Sequence, residues 1–260
     1  MKIALLLTGH FIRRQGDSTG FCVKEYCYPT LKKFLLDKHD VDVYISTWDH
    51  NYLHNGNVHS QRVDPSVVLN LFKPVRSYIR DYHTYYSEKK IIQFDNNPVT
   101  VNVNHQPLTL PKCECNHVNR DCKTVGCTAI ETNADSWSLV KEGYNLIDNP
   151  SQYDYIVRTR FDLAFNNLVL DENLPKGTIV VPPWKKDSVW DDFARGDGAT
   201  AYGDPESMAK YCHFIDEYPS LCNKNIPSAN IHYTIGYYLN FNCGITQRED
   251  SSITYTFLKD

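Results

Sequence analysis

The chain reads as an α/β protein with a mixed, mostly parallel sheet flanked by helices. Three stretches predict it. A continuous apolar run, KIALLLT at 2–8, has the pattern of a strand buried on both faces. Helical spacing over 22–37 leads from it into an alternating run at 41–47 within DVDVYISTW, which is strand, helix, strand at βαβ spacing. A third β-type run, YDYIVRTRFDLAF at 153–165, is apolar and then ends in charge. With 260 residues the chain suits one domain spanning 1–260, carrying an insertion at about 85–130.

Composition narrows the class. The chain is 42% hydrophobic and 22% charged, ordinary for a globular protein. A formal net charge of −4 argues against a general nucleic-acid binder, which would show a basic excess or stripe. The first apolar run is short, is followed by His10, Arg13 and Arg14, and precedes no small-residue cleavage site, so it reads as a strand rather than a leader. No run approaches the ~18 apolar residues of a membrane span. These features point to a soluble, cytoplasmic chain, in which thiols are the default state of the nine cysteines. Cys113, Cys115, Cys122 and Cys127 cluster as C-x-C-x6-C-x4-C with His117 among them. Four thiolates can close a tetrahedron around a structural zinc, although the paired C-x2-C knuckles are missing. A disulfide-bearing loop or free thiols fit the spacing too.

The elements follow in order. The first strand stops at Thr8-Gly9-His10, where Gly9 permits a tight turn and close approach of backbone to a ligand. Arg13 to Gly20 is a polar loop. In the helix after it, Leu31, Phe34 and Leu35 form the apolar face, and Pro29 starts its main part or kinks it. Trp48-Asp49-His50 closes the second strand, and 51–64 is a polar loop. Asp64 and Pro65 read as the cap and first position of a short helix at 65–71, and 75–82 reads as a third strand. Within the insertion, 100–104 alternates as a strand. Helical spacing returns at 135–147. After the 153–165 run come short strands at 178–181 and 199–203, helices at 205–218 and 228–239, and an edge strand or hairpin at 245–257.

Three groups of residues carry chemistry. Thr8, Gly9, His10 and Arg13 form a βα turn after the first strand, a common nucleotide position in α/β sheets. Neither G-x-G-x-x-G nor a P-loop is present, which disfavours dinucleotide and P-loop enzymes. Arg158, Arg160 and Asp162 end a core strand, where unpaired charge is costly. They read either as an internal Arg–Asp ion pair or as an anion site, with or without a divalent cation, since the arginine fork matches phosphate oxygens. Asp191, Asp192 and Asp197, interleaved with Trp190, Phe193 and Arg195, read as a site wall or as a solvated acidic loop. A carboxylate there within reach of a hydroxyl can act as general base.

These residues also carry a resemblance. YDYIVRTRFDLAF resembles the strand of GT-A-type glycosyltransferases that bears the D-x-D motif, with Asp162 in the place of the second aspartate and Arg160 in the place of the first. KIALLLTGHFIRR followed by DVDVYISTWD, the helix ADSWSLVKEGYNL and the segment DDFARGDGATAYGDPESM are similar to a branch of these enzymes from polysaccharide gene clusters and large DNA viruses. The similarity covers most of the chain except about 85–130. It implies a GT-A-like domain that moves a sugar from a nucleoside-diphosphate sugar to a hydroxyl of a glycan or glycoprotein acceptor. It puts the nucleotide over Thr8, Gly9, His10 and Arg13, and the diphosphate at Arg158, Arg160 and Asp162. It implies manganese or magnesium at Asp162. Asp192 is the first choice for a general base, with Asp191 and Asp197 behind it. Arg160 departs from the motif by removing one metal ligand and adding a fixed positive charge. A catalytically inactive carbohydrate- or nucleotide-binding protein on the same fold, or a nucleotidyltransferase, are the alternatives.

Overall fold

A computed structural model describes residues 1–12, 19–51, 62–88, 99–103, 106–110, 127–183, 199–222 and 231–258. The first strand, β1 (Lys2–Thr8), is buried from Ile3 through Thr8, as its unbroken apolar run requires. The helical stretch after it, α1 (23–36), is not uniform. It opens with a π-type turn over Val23–Cys27, passes through α-helix at Tyr28–Leu31 and widens again over Lys32–Leu36. Pro29 is the reason for the first widening. It has no N–H for the preceding turn, and the Tyr28 N–H reaches back to the Val23 carbonyl instead. Strand β2 (Asp40–Trp48) then pairs parallel with β1.

Helix α2 (Ser66–Phe72) starts one residue later than expected, and the Asp64 carboxylate accepts from the Ser66 N–H at 2.9 Å. Strand β3 (Arg76–Arg80) is shorter than its sequence pattern, because Tyr82 opens a helix, α3 (Tyr82–Glu88). Strands β4 (Val99–Val103) and β5 (Gln106–Leu110) pair antiparallel with each other within the expected insertion. The long helix α4 (Cys127–Tyr144) leads to β6 (Tyr155–Arg160) and β7 (Leu163–Asn167). Strands β8 (Thr178–Val181) and β9 (Ala201–Gly203) follow.

The 205–218 segment is two helices rather than one, α5 (Pro205–Cys212) and α6 (Phe214–Cys222). Asp204 caps the first of them by accepting from the Ser207 N–H at 3.0 Å. Helix α7 (Ile231–Tyr237) runs into a wider turn at Tyr238–Asn242. The segment at 245–257 is not a hairpin. Strand β10 (Thr246–Glu249) is an edge strand parallel to β8, whereas β11 (Thr254–Phe257) pairs antiparallel with β7. Asp250 separates the two by accepting the N–H groups of Ser252 and Ile253.

The seven-stranded sheet has the order β10-β8-β9-β6-β1-β2-β3. Its neighbours are parallel except at β9, which is antiparallel to both β6 and β8. Side chains alternate between two cores. Ala4, Leu6, Tyr44 and Ile156 meet α4 through Trp137, Val140 and Tyr144, together with Met208, Phe214 and Ile235. On the other face Ile3, Leu5, Leu7, Ile45 and Val157 meet Val23, Leu31 and Leu35 of α1 and Val68 of α2. Helices therefore cover both faces, which explains why the central strands are apolar throughout rather than alternating. Among the described residues, no helix is long and apolar enough to cross a membrane.

One consequence of this order positions the site. From β1 the chain advances to β2 and β3 on one side, and β6 returns to the other side of β1. The carboxyl ends of β1 and β6 therefore flank a topological switch point, where an α/β sheet opens a crevice.

Candidate functional site

The parallel register sets Ser46, Thr8 and Arg160 side by side at the carboxyl ends of β2, β1 and β6. Of the residues expected to bind a nucleotide, Thr8, Gly9, His10, Arg158, Arg160 and Asp162 thus come together from two strands far apart in sequence. The chain turns at Gly9, whose φ of +101° is a conformation that side chains rarely adopt. The turn is pinned twice: the Gly9 N–H donates to the Ser46 carbonyl at 3.1 Å, and the Thr47 hydroxyl donates to the Gly9 carbonyl at 2.7 Å.

That turn delivers His10 onto Trp48, with ring centroids 5.5 Å apart and planes at 12°. Its Nδ1 lies 3.0 Å from the His50 carbonyl oxygen. A carbonyl only accepts, so Nδ1 carries the hydrogen, and in the neutral ring Nε2 carries the lone pair. Desolvation of the ring is the main cause that lowers its pKa to about 4, outweighing the bond to His50, and the Arg160 charge lowers it further. A histidine depressed from 6.5 in the unfolded chain adds stability that is complete above pH 6.5 and is lost as pH falls toward 4. Acid titration of the wild type against His10→Asn, followed by thermal melting, should show the wild type losing on the order of 2 kcal/mol more than the variant across that window. Parallel pH profiles would contradict the assignment.

Arg158 is 4% exposed and is built into the face covered by α4. Its Nε donates to the Thr8 hydroxyl at 3.1 Å, its guanidinium lies 5.6 Å from the Trp137 ring centroid, and its carbonyl accepts from the Thr200 hydroxyl at 3.0 Å. Arg160 is partly exposed and pairs with Asp162 in a side-on fork, Nε to Oδ1 at 2.8 Å and Nη2 to Oδ2 at 2.6 Å. The internal Arg–Asp pair, one of the two readings of this strand end, is therefore present. The Asp162 carbonyl accepts from the Leu258 N–H at 2.8 Å, and the Arg160 guanidinium lies 5.5 Å from the Phe257 ring centroid.

This arrangement fits a divalent cation at Asp162 poorly. Both carboxylate oxygens already accept from Arg160, whose fixed charge repels a cation at that carboxylate. Among the described residues, no group of three or more His, Cys, Asp and Glu side chains could hold a metal ion. Arg13, Asp191, Asp192, Asp197, Cys113, Cys115, His117 and Cys122 lie outside the described residues, and Cys127 opens α4. β8 runs in the same direction as β1 and β6 while β9 runs against them, so the chain departs after Val181 and returns before Ala201 at the sheet edge that carries Arg158.

Sequence reasoning missed the partners that hold these groups: Trp48 and His50 for His10, Thr200 for Arg158, and Phe257 for Arg160. Only Trp48-Asp49-His50 left a signal, as a polar close to the strand next to β1. Asp49 ties that close together, with His50 Nδ1 at 2.6 Å and the Tyr82 N–H at 2.9 Å from its Oδ1. No protein-family model matches the chain. No curated protein matches it either.

Proposed function

We propose that the chain is a GT-A-type glycosyltransferase that moves a sugar from a nucleoside-diphosphate sugar to a hydroxyl of a glycan acceptor. The observation that carries this reading is the gathering of Thr8, Gly9, His10, Arg158 and Arg160 at the switch point between β1 and β6. A diphosphate needs fixed positive charge and close backbone approach, and arginines beside a glycine turn offer both. The resemblance of YDYIVRTRFDLAF to the motif strand of that family supports the same assignment from sequence.

The chain's own groups divide the work as follows. The Gly9 turn lets the nucleotide approach the backbone, with the His10 ring stacked on Trp48 beside it. Arg160 neutralises charge on the leaving diphosphate. Arg158 holds Thr8 and so keeps the turn and the strand end in register. For an inverting transfer, Asp192 takes the proton of the acceptor hydroxyl while that oxygen bonds to the anomeric carbon. The bond from that carbon to the phosphate oxygen breaks, and its electron pair leaves with the diphosphate. The two anchors of segment 184–198 on the Arg158 edge support this role for Asp192, with Asp191 and Asp197 behind it. Manganese or magnesium remains the family's usual aid to the leaving group, but the Arg160–Asp162 fork favours a reaction that does not call on Asp162 as a ligand.

A second reading, a binding protein that has lost catalysis, draws on the same fork, because a self-satisfied ion pair can be purely structural. Incubation with nucleotide sugars in the absence of acceptor separates the classes. Slow release of nucleoside diphosphate is the expected result. Release of pyrophosphate would indicate a nucleotidyltransferase, and binding without any release would leave only the binding role.

A further inference from the structure

We infer that Arg160 does the work of a metal cation at this site, and that Asp162 and Phe257 are positioning residues that act through it. The inference rests on the donor-site reading above and deepens it. A guanidinium has a side-on edge, formed by Nε and one terminal nitrogen, and an end-on edge formed by the two terminal nitrogens. Asp162 occupies the side-on edge with both oxygens, at 2.8 and 2.6 Å. Phe257 lies against the guanidinium at 5.5 Å and restrains its plane. These two restraints are themselves joined. Phe257 ends β11, which pairs with β7 directly after Asp162, and the next N–H, of Leu258, donates to the Asp162 carbonyl.

The end-on edge is thereby aimed and unspent, since Nη1 donates to no protein group among the described residues. Exposure agrees with this order: the Arg160 side chain is 23% exposed and that of Asp162 4%, so the carboxylate sits behind the guanidinium. An anion arriving from solvent meets a fixed, oriented cation. A divalent ion seeking Asp162 meets the same positive charge in its way. The residue that stands where the family motif has a metal-binding aspartate therefore replaces the metal rather than crowding it.

Calorimetric titration with inorganic pyrophosphate, in EDTA and separately with Mn²⁺, tests this. The wild type is expected to bind in EDTA, with no gain from Mn²⁺. Arg160→Gln should weaken binding by about 10- to 100-fold, the loss of charged hydrogen bonds. Phe257→Leu should weaken it by about threefold, the loss of a partly exposed cation–π contact. In the Arg160→Gln background, neither Phe257→Leu nor Asp162→Asn should cost pyrophosphate binding anything more, because each acts on binding through Arg160. Additive losses, or wild-type binding that appears only with Mn²⁺, would overturn the inference and leave the donor site standing. Absence of pyrophosphate binding under both conditions would instead remove the donor site itself. Should Asp162→Asn fail to fold, the Phe257→Leu cycle carries the same decision, since Phe257 is partly exposed on a two-stranded ribbon.

Discussion

Arg160→Ala is expected to weaken binding of the nucleoside-diphosphate sugar by about 1.5–3 kcal/mol, the range for a hydrogen bond to a charged group. Two effects compete in that variant. Removing the guanidinium deletes the phosphate contact, and it also strands Asp162, which is 4% exposed. Stranding one half of a fully buried pair costs ~3–5 kcal/mol, but the Arg160 side is open to water, so water can reach the vacated position and the stability loss falls below that range. Affinity measured on the folded fraction therefore reports the phosphate term. Arg160→Lys should recover only part of the loss, because an ammonium restores charge without the planar fork that Asp162 holds. Unchanged affinity in Arg160→Ala would put the phosphates elsewhere.

Gly143→Val should destabilise the chain by about 2–3 kcal/mol and weaken the site with it. Helix α4 crosses the carboxyl ends of β1 and β2 at this glycine. A Cβ there would lie 2.5 Å from Leu6 Cδ1, 3.1 Å from Ser46 Cβ and 3.4 Å from Thr8 Cγ2. Gly143→Ala is a milder case, because Leu6 Cδ1 is the end of a flexible side chain and alanine gains roughly 0.5–1 kcal/mol of helix propensity over glycine. Valine adds two γ-carbons in the same gap and gains less propensity, so strain wins. The displaced neighbour matters for function, since Thr8 is the hydrogen-bond acceptor of Arg158. Denaturant unfolding of the two variants gives the comparison. Valine as harmless as alanine would mean that the helix is not in close contact there.

The central strands were legible because burial on both faces writes itself as an unbroken apolar run, and β1 and β6 carry such runs. The charged end of β6 was legible for the complementary reason, since charge directly after a buried strand needs a partner. What the sequence left open was which partner. Asp162 answers Arg160 from two residues away, but the choice between an ion pair and an anion site depends on Phe257 and Leu258, which arrive from the far end of the chain. The same physics hid β10 and β11. Their alternation is one pattern locally, yet β10 pairs with β8 and β11 with β7, so long-range registers divide it. Helix α3 was hidden because Tyr82 reads as the end of the strand expected at 75–82 and the residues from about 85 on read as the start of the insertion. Asp81 Oδ1 does accept from the Thr84 N–H at 2.6 Å, and Asp49 adds a second, distant acceptor for Tyr82.

The most direct test of the donor site is thermal melting of the wild type and of Arg160→Ala against a panel of nucleotide sugars, in EDTA and with Mn²⁺. A ligand at a hundred times its dissociation constant stabilises the native state by about 2.7 kcal/mol, enough to move a melting midpoint visibly. At least one nucleoside-diphosphate sugar should raise the wild-type midpoint in EDTA, and Arg160→Ala should lose most of the shift. A panel that moves neither protein, or moves both equally, would contradict the donor site.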